Sequence, residues 1–144
     1  MKKFITTIFN AATDLFVTIF KNNGKGVNIP TLYVSNNNEF GDYLTDTNGR
    51  ALYSSNKDFV GTADSKPVSN SKDSSLVFWK VFYLDDIITS SPLRRRDFST
   101  LNRPGGQNQL VYKGSPLYFY INDLEPGDVK GEGMNNNFFT IKIN

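Results

Sequence analysis

Hydrophobic and polar positions follow two different rhythms along this chain. Residues 4–20 carry apolar side chains at intervals of three and four, which would place them on one face of a helix opposite threonine, asparagine and aspartate. Beyond residue 26 the pattern changes to short aromatic or β-branched runs separated by glycine, proline, asparagine and aspartate. The sequence therefore predicts an amphipathic helix within residues 1–26 and a single all-β domain over residues 27–144.

The N-terminal segment allows three interpretations. A helix that packs on this domain or on a partner explains the two-faced pattern, and residues 21–24 (KNNG) are typical of a helix end. A secretion signal also begins with basic residues, but it needs an unbroken apolar core, which Asn10 and Asp14 interrupt here. A helix lying in a membrane interface is the third interpretation, since the segment is too polar to span a bilayer. We favour packing, with residues 4–20 contacting this domain, a partner protein or a second copy.

Turn signals and apolar runs divide the β domain. Residues 76–84 (LVFWKVFYL) form an almost continuous apolar run, which predicts a buried central strand around Trp79. Residues 58–75 are polar and serine-rich and predict an exposed loop, and a helical turn is predicted after Pro92. Tight turns are predicted at Asn48-Gly49, Pro104-Gly105-Gly106 and Lys113-Gly114.

Two segments of the chain repeat the same order of residues. Tyr53 and Tyr118 each follow a leucine and a glycine-containing turn. An aspartate comes five positions after each tyrosine, at Asp58 and Asp123, and begins a polar loop. This correspondence points to a duplicated unit.

Each of the two loops leads into an aromatic strand, around Trp79 in the first segment and around residues 138–139 in the second. A hairpin plus one strand cannot bury an aromatic face alone, so two such units would share one core. We therefore expect a small, sandwich-like antiparallel domain built from two hairpin-plus-strand repeats, near residues 40–85 and 98–144.

Composition excludes several kinds of chemistry. The chain has 0 Cys and 0 His, so it has no disulfide, thiolate nucleophile, histidine base or ordinary zinc site. Its 16 basic and 14 acidic residues are too balanced to indicate a nucleic-acid partner. Asp85 and Asp86 are adjacent and would point to opposite faces of a strand, which does not favour a hydrolytic pair. We expect no enzymatic activity, and a carboxylate-based hydrolase is the least favoured function.

Two groups of residues could bind a ligand. Tyr118 and Tyr120 would share one face of a strand, where they could form a platform for a glycan or a cross-strand ladder in the core. Arg94, Arg95 and Arg96 could clasp a phosphate, a sulfate or an acidic polysaccharide through bidentate hydrogen bonds, or could form a solvated loop.

Carboxylates after the second tyrosine strand allow a calcium site. Asp123, Glu125 and Asp128 lie among glycines, and flexible oxygen-rich loops are the usual ligands of calcium. Lys130 stands where a further oxygen would help, however, and Asp58 and Asp123 could equally accept backbone N–H groups in turns. No other cofactor is expected.

The segment YFYIND, residues 118–123, fits the pattern Tyr-x-[Phe/Trp/Tyr]-x-x-Asp. With LVYKGSPLY before it and EPGDVKGEGM after it, the segment resembles the bacterial secreted-repeat family of predicted lipoproteins that carry this motif. The similarity runs from about residue 33 to residue 144, although Ser55 stands where the first copy of the motif should have an aromatic residue. The motif and structural positions that the resemblance marks are Tyr53, Asp58, Trp79, Tyr118, Tyr120 and Asp123.

The resemblance implies an envelope or extracellular setting rather than a mechanism. Members of the family often carry a cysteine pair before the tryptophan, and many carry a lipobox cysteine, whereas this chain has 0 Cys. Lipid anchoring through cysteine is therefore not expected. We predict a non-catalytic binding or structural module with a glycan or protein ligand, without a transmembrane span. The alternative is a self-assembling subunit that docks through its N-terminal segment.

Overall fold

The computed structural model describes residues 4–10, 15–21, 28–58, 77–103 and 105–144, and its regular structure is almost entirely β. The strands are β1 Phe4–Asn10, β2 Leu15–Lys21, β3 Leu32–Asn37, β4 Gly41–Asp46, β5 Tyr53–Ser55, β6 Trp79–Val81, β7 Phe98–Asn102, β8 Asn108–Tyr112, β9 Ser115–Pro116, β10 Tyr118–Tyr120 and β11 Phe138–Thr140. All pairings among these strands are antiparallel. The predicted antiparallel all-β class is confirmed.

The N-terminal segment forms a hairpin where the sequence predicted a helix. Strands β1 and β2 pair from Phe4 opposite Lys21 to Asn10 opposite Leu15. The helix prediction is therefore wrong for residues 4–10 and 15–21, and the rest of the predicted helix lies outside the described residues. The segments TTIF and FVTIF explain the difference, because β-branched and aromatic side chains fit a pleated strand better than a helix.

A four-stranded sheet of order β11-β5-β10-β6 lies at the centre of the domain. Tyr53 of β5 stands directly opposite Tyr118 of β10. Strand β6 lies at one edge of this sheet, so the prediction of a central strand around Trp79 is wrong. The run is apolar because it supplies two separate cores: Trp79 is buried in one hydrophobic cluster and Phe82 in the other.

Shorter sheets flank the centre, one formed by β3 and β4 and one by β7, β8 and β9. Lys113 and Gly114 join β8 to β9 with positive φ angles of 45° and 85°, as a type I′ hairpin turn requires. The Asp46 N–H donates to Arg50 O across the Asn48-Gly49 turn. These turns, the hydrogen bond from the Gly106 N–H to Arg103 O and a 3-10 turn at Arg95–Asp97 confirm the predicted local signals. The loop predicted over residues 58–75 lies outside the described residues, apart from Asp58.

One backbone hydrogen-bond pattern occurs on both sides of the β5–β10 pair. Three residues form each closed ring of backbone hydrogen bonds: one from a hairpin, one from the segment around a central tyrosine strand, and one from the segment around a closing strand, β6 or β11. The hairpin residue donates its N–H to the closing residue, the closing residue donates to the central residue, and the central residue donates back to the hairpin residue. The hairpin, central and closing residues are Leu44, Leu52 and Ile141 in one ring, and Leu110, Leu117 and Phe82 in the other. All six donor–acceptor distances lie between 2.8 and 3.0 Å. Each ring thus joins an early segment of the chain to a late one.

The buried side chains form two clusters. The aliphatic core consists of Leu32, Leu44, Leu52, Phe82, Leu93, Phe98, Leu110, Tyr112, Leu117 and Ile141. The aromatic core consists of Tyr43, Ala51, Tyr53, Trp79, Tyr118, Tyr120 and Phe138. Consecutive strand residues point to opposite faces, so the paired Leu-Tyr dipeptides at 52–53 and 117–118 each contribute one residue to each core.

Candidate functional site

The aromatic side chains of Tyr53, Trp79, Tyr118 and Phe138 pack against one another at the β5–β10 pair. Tyr53 and Tyr118 are fully buried. Trp79 and Phe138 stack with ring centroids 3.8 Å apart and planes only 8° from parallel. Tyr53 meets Trp79 edge-on at 5.0 Å, and Tyr118 meets Phe138 edge-on at 5.6 Å, both favourable ring geometries. The motif tyrosines are therefore the middle of the aromatic core.

A hydrogen bond joins the motif tyrosine of one segment to the motif aspartate of the other. The Tyr53 hydroxyl donates to Asp123 Oδ2 at 2.5 Å. Asp123 Oδ1 accepts the backbone N–H of Lys130 at 2.9 Å, and the Gly131 N–H lies 3.4 Å from the Tyr53 hydroxyl oxygen. Both side chains are buried. This pair fixes the loop after β10 against β5.

Burial also governs the protonation of this pair. It raises the pKa of Tyr53 far above the ordinary range, and the hydrogen bond to Asp123 raises it further. Burial raises the pKa of Asp123 as well, while the hydrogen bonds from Tyr53 and Lys130 oppose that rise. Tyr53 therefore keeps its proton at neutral pH and acts as a hydrogen-bond donor rather than as a nucleophile.

Gly131 lies against the aromatic core at a place that leaves no room for a side chain. A Cβ there would stand 2.5 Å from Trp79 Cη2 and 3.2 Å from Tyr53 Cε1. No local turn pattern in the sequence marks Gly131, because the need for glycine there comes from a contact with a distant strand.

Besides Tyr53 and Asp123, the structure buries a second polar pair, which the sequence motifs did not predict. Arg103 and Gln109 are both buried, and Arg103 Nη1 donates to Gln109 Oε1 at 2.7 Å. Gln109 Nε2 donates to Leu117 O at 2.8 Å, and Arg103 Nη1 lies 3.5 Å from the Tyr118 hydroxyl. The sequence does carry one signal for this pair: Gln109 directly precedes the apolar strand residues LVY. A side-chain amide buried in a strand needs hydrogen-bond partners, which Arg103 and Leu117 O supply here.

The proposed tyrosine platform faces inward. Tyr118 and Tyr120 share a face of β10, as predicted, and both lie in the aromatic core. The Tyr120 ring centroid is 4.8 Å from that of Trp79, and its hydroxyl accepts a hydrogen bond from Asn122 Nδ2. This placement fits the core-ladder interpretation. Asp58 is buried as well, and its N–H donates to Ser55 O in the turn after β5.

The acidic loop after β10 is held by its own contacts. Asp128 Oδ2 accepts the N–H groups of Leu124 and Glu125 at 3.1 Å each, and Lys130 Nζ lies 2.9 Å away. The hydrogen bond from Lys130 is the main reason why the pKa of Asp128 lies below its usual value. Asp123 faces Tyr53 instead. Within the part of the chain that the structure describes, no three acidic side chains are arranged to hold a metal ion.

Three exposed arginines surround the 3-10 turn before β7. Arg94 Nε lies 3.9 Å from Asp97 Oδ2, and Arg95 Nη1 donates to Phe98 O at 3.1 Å. The Lys113 N–H donates to Asp97 O at 2.8 Å, which ties this turn to the β8–β9 turn. Arg94, Arg95 and Arg96 are all exposed. The predicted cation cluster thus lies at the surface, away from the motif tyrosines.

The second motif lies in a segment that matches a described family. Residues 99–142 match the secreted repeat of unknown function. This is the family that the Tyr-x-[Phe/Trp/Tyr]-x-x-Asp motif predicted. The secreted repeat includes Tyr118, Tyr120 and Asp123, whereas Tyr53 and Trp79 lie outside the matched residues. No curated protein and no solved structure matches the chain. No helix among the described residues has the length and hydropathy needed to cross a membrane.

Proposed function

We propose that this protein is a secreted, non-catalytic binding module whose scaffold consists of two interleaved copies of the secreted repeat. The hydrogen bond between Tyr53 and Asp123 carries the proposal. The motif places its hydroxyl and carboxylate inside the aromatic core, where they join the two halves and no substrate reaches them. The groups that face solvent are then free to bind a partner.

Two observations support the duplication. The residues matched to the family contain Leu110 and Leu117, two of the three residues of one hydrogen-bonded ring, and a ring of the same pattern recurs around Leu44 and Leu52. The two edge-on aromatic pairs, Tyr53 with Trp79 and Tyr118 with Phe138, correspond in the same way. The two halves thus agree both in their backbone hydrogen bonds and in their aromatic contacts. A duplicated unit produces such agreement when neither copy can bury its apolar face alone.

The proposed location follows from the family. Its description as a secreted repeat supports an extracellular or envelope position for this chain. A chain with 0 Cys and 0 His also lacks the usual nucleophile and general base, which supports binding rather than catalysis.

A panel of immobilised glycans and envelope polymers tests the proposal on the full chain. We expect retention on at least one polymer class, with the polymer recovered at unchanged mass. Tyr53→Phe should bind equally well per folded molecule, because Tyr53 supports the scaffold alone. Cleavage of a polymer, lost when Tyr53 or Asp123 is replaced, would show that the motif is catalytic; failure of the folded chain to bind any polymer would reject the module.

The N-terminal hairpin favours a second candidate function, self-assembly. Strands β1 and β2 pair with each other in a separate two-stranded sheet. A lone hairpin is marginally stable in water, and its open edges can pair with another chain. Thr7 and Thr18 are directly opposite each other, so Thr7→Pro should disrupt this sheet in the full chain. We expect light scattering to show oligomers that Thr7→Pro converts to monomers; a monomeric unmodified chain at high concentration would refute assembly.

A further inference from the structure

We infer that this protein binds a linear polyanion, a polymer with repeated phosphate, sulfate or carboxylate groups, through the exposed cations beside the 3-10 turn. This inference rests on the proposed binding module and specifies its ligand class. The basic surface is defined by Arg94, Arg95, Arg96 and Lys113, all of which are exposed.

The fold brings these four cations together. Residues Arg95–Asp97 form one 3-10 turn, in which successive side chains diverge by about a third of a turn. The bond from the Lys113 N–H to Asp97 O holds the β8–β9 turn beside it. Arg95 and Arg96 therefore diverge from one turn, with Arg94 in extended backbone just before it and Lys113 on the adjoining turn.

Few local contacts neutralise the basic surface. Asp97 is the acid of this turn, and its carboxylate is 3.9 Å from Arg94 Nε, a long contact at a mostly exposed arginine. Arg96 forms no ion pair with any residue that the structure describes. Without these four cations and Asp97, the chain would have 12 basic and 13 acidic residues instead of 16 and 14. The four cations and Asp97 thus give this surface a local net charge of +3 (four positive charges less one negative charge).

An extended polymer suits this surface better than a single small anion. An exposed cation contributes little binding free energy when it pairs with one anion in water. Several such contacts to one chain reinforce each other, because the first contact raises the local concentration of the next charged group. Guanidinium groups also donate paired hydrogen bonds to oxyanions, which three adjacent arginines can make to successive groups of a polymer.

An anionic membrane fits this surface less well. Proteins that lie on membranes place apolar side chains beside their basic residues. Leu93 and Phe98, which flank the basic surface, are both buried. The large hydrophobic side chains that are exposed in the described ranges are Ile29, Val77, Phe78 and Leu124, and none of them belongs to this turn.

The other half of the domain shows that the fold does not require these charges. Leu32 opens β3 opposite Asp46 as Phe98 opens β7 opposite Tyr112. The residues before Leu32, 28–31, are Asn-Ile-Pro-Thr and carry no charge. A hairpin of the same kind is thus built without a basic surface, so the fold alone does not account for the arginines.

Fluorescence titration of the full chain with three probes tests the inference: inorganic polyphosphate, a heparin-type sulfated glycan and polygalacturonate. We expect binding to at least one probe, weakened by salt as for any multivalent ionic contact. Arg94→Gln with Arg96→Gln spares the Arg95 hydrogen bond to Phe98 and should reduce the affinity at least tenfold. The matched control, Lys57→Gln with Lys80→Gln, removes the same charge from two other exposed positions and should change the affinity less than twofold.

The three polymers distinguish phosphate, sulfate and carboxylate as the source of the anion. Equal losses in the two double variants, or binding only to vesicles containing anionic lipid, would overturn the inference. Binding to a neutral glycan that the arginine changes leave intact would overturn the polyanion while preserving the module. If the folded chain binds none of these probes and no polymer of the wider panel, both proposals are overturned.

Discussion

The first half of the β domain, from Leu32 to Leu84, and the second, from Phe98 to Ile143, place a hairpin, a tyrosine strand and a closing strand in the same order. Their central tyrosines stand side by side, and each closing strand pairs with the tyrosine strand of the other half. The segments that lead into the halves differ: Asn-Ile-Pro-Thr precedes Leu32, whereas Arg-Arg-Arg-Asp precedes Phe98. The comparison separates positions that the fold needs from positions that are free to vary.

One difference lies inside the core and has a compensation. Tyr120 packs against Trp79, whereas Ser55, two residues after Tyr53, has no ring to offer. Ser55 Oγ instead donates to Asn137 Oδ1 at 2.7 Å, next to Phe138 in the register. A hydrogen bond thus takes the place of an aromatic contact in the first copy of the motif.

The largest expected effect tests whether the two halves are equivalent, and it comes from shortening the hairpin leucines of the two hydrogen-bonded rings. Leu44 and Leu110 are both fully buried, so Leu44→Ala and Leu110→Ala should each lower the free energy of unfolding by about 2–5 kcal/mol. Urea denaturation measures this loss. Leu124→Ala is the control, because Leu124 is 76% exposed and its truncation should change stability little. A large loss in one half only would break the comparison.

The second prediction concerns the close approach of Gly131 to Trp79. Gly131→Ala should lower the free energy of unfolding by about 3 kcal/mol, because the new methyl group overlaps Trp79 Cη2. Combining it with Trp79→Phe removes that atom and should recover part of the loss. A double-mutant cycle from denaturation curves measures the coupling, and strictly additive losses would contradict the contact.

The third prediction concerns the bond that joins the halves. Tyr53→Phe removes the donor to Asp123 Oδ2 and leaves a buried carboxylate with the Lys130 N–H. We expect a loss of about 1–2 kcal/mol in thermal or urea unfolding. Tyr83→Phe, at a partly exposed tyrosine, is the matched control. Equal small effects of the two changes would mean that the motif bond does not hold the halves together.

The smallest effect is a pH dependence at the edge of the central sheet. Glu132 accepts the Thr140 N–H at 2.6 Å and Lys142 Nζ at 2.7 Å. Burial alone would raise the pKa of Glu132, but these hydrogen bonds outweigh it and hold the pKa below its usual value. The folded pKa is lowered, so the stabilisation is present above the unfolded pKa of about 4.3 and is lost as the pH falls through the folded value.

Glu132→Gln should therefore be less stable than the unmodified chain at neutral pH and should approach it below about pH 4. Urea midpoints across this pH range measure the convergence. A difference that stays constant with pH would show that the charge of Glu132 does not stabilise β11.

Local patterns in the sequence predicted much of this fold. The Asn48-Gly49 and Lys113-Gly114 turns follow from residues that tolerate positive φ angles. The shared spacing of Tyr53 and Tyr118 placed both in one core, and the structure pairs them directly. Such features depend on residues adjacent in sequence or on two segments with the same spacing, and both can be recognised in one sequence.

Other features depend on contacts between distant residues. The crossing bond from Tyr53 to Asp123 and the close approach of Gly131 to Trp79 arise only after the strands assemble. The apolar run around Trp79 predicted a central strand, because hydrophobicity does not distinguish a central strand from an edge strand that supplies two cores. Residues 4–20 satisfied a helical period, but β-branched and aromatic composition prevailed in β1 and β2.

The strand order β11-β5-β10-β6 also sets the time at which folding can finish. Strand β5 is synthesised early, yet its outer neighbour, β11, follows only at Phe138–Thr140. Pairings between segments so far apart in sequence form slowly. The central sheet therefore stays incomplete until most of the β domain has been synthesised.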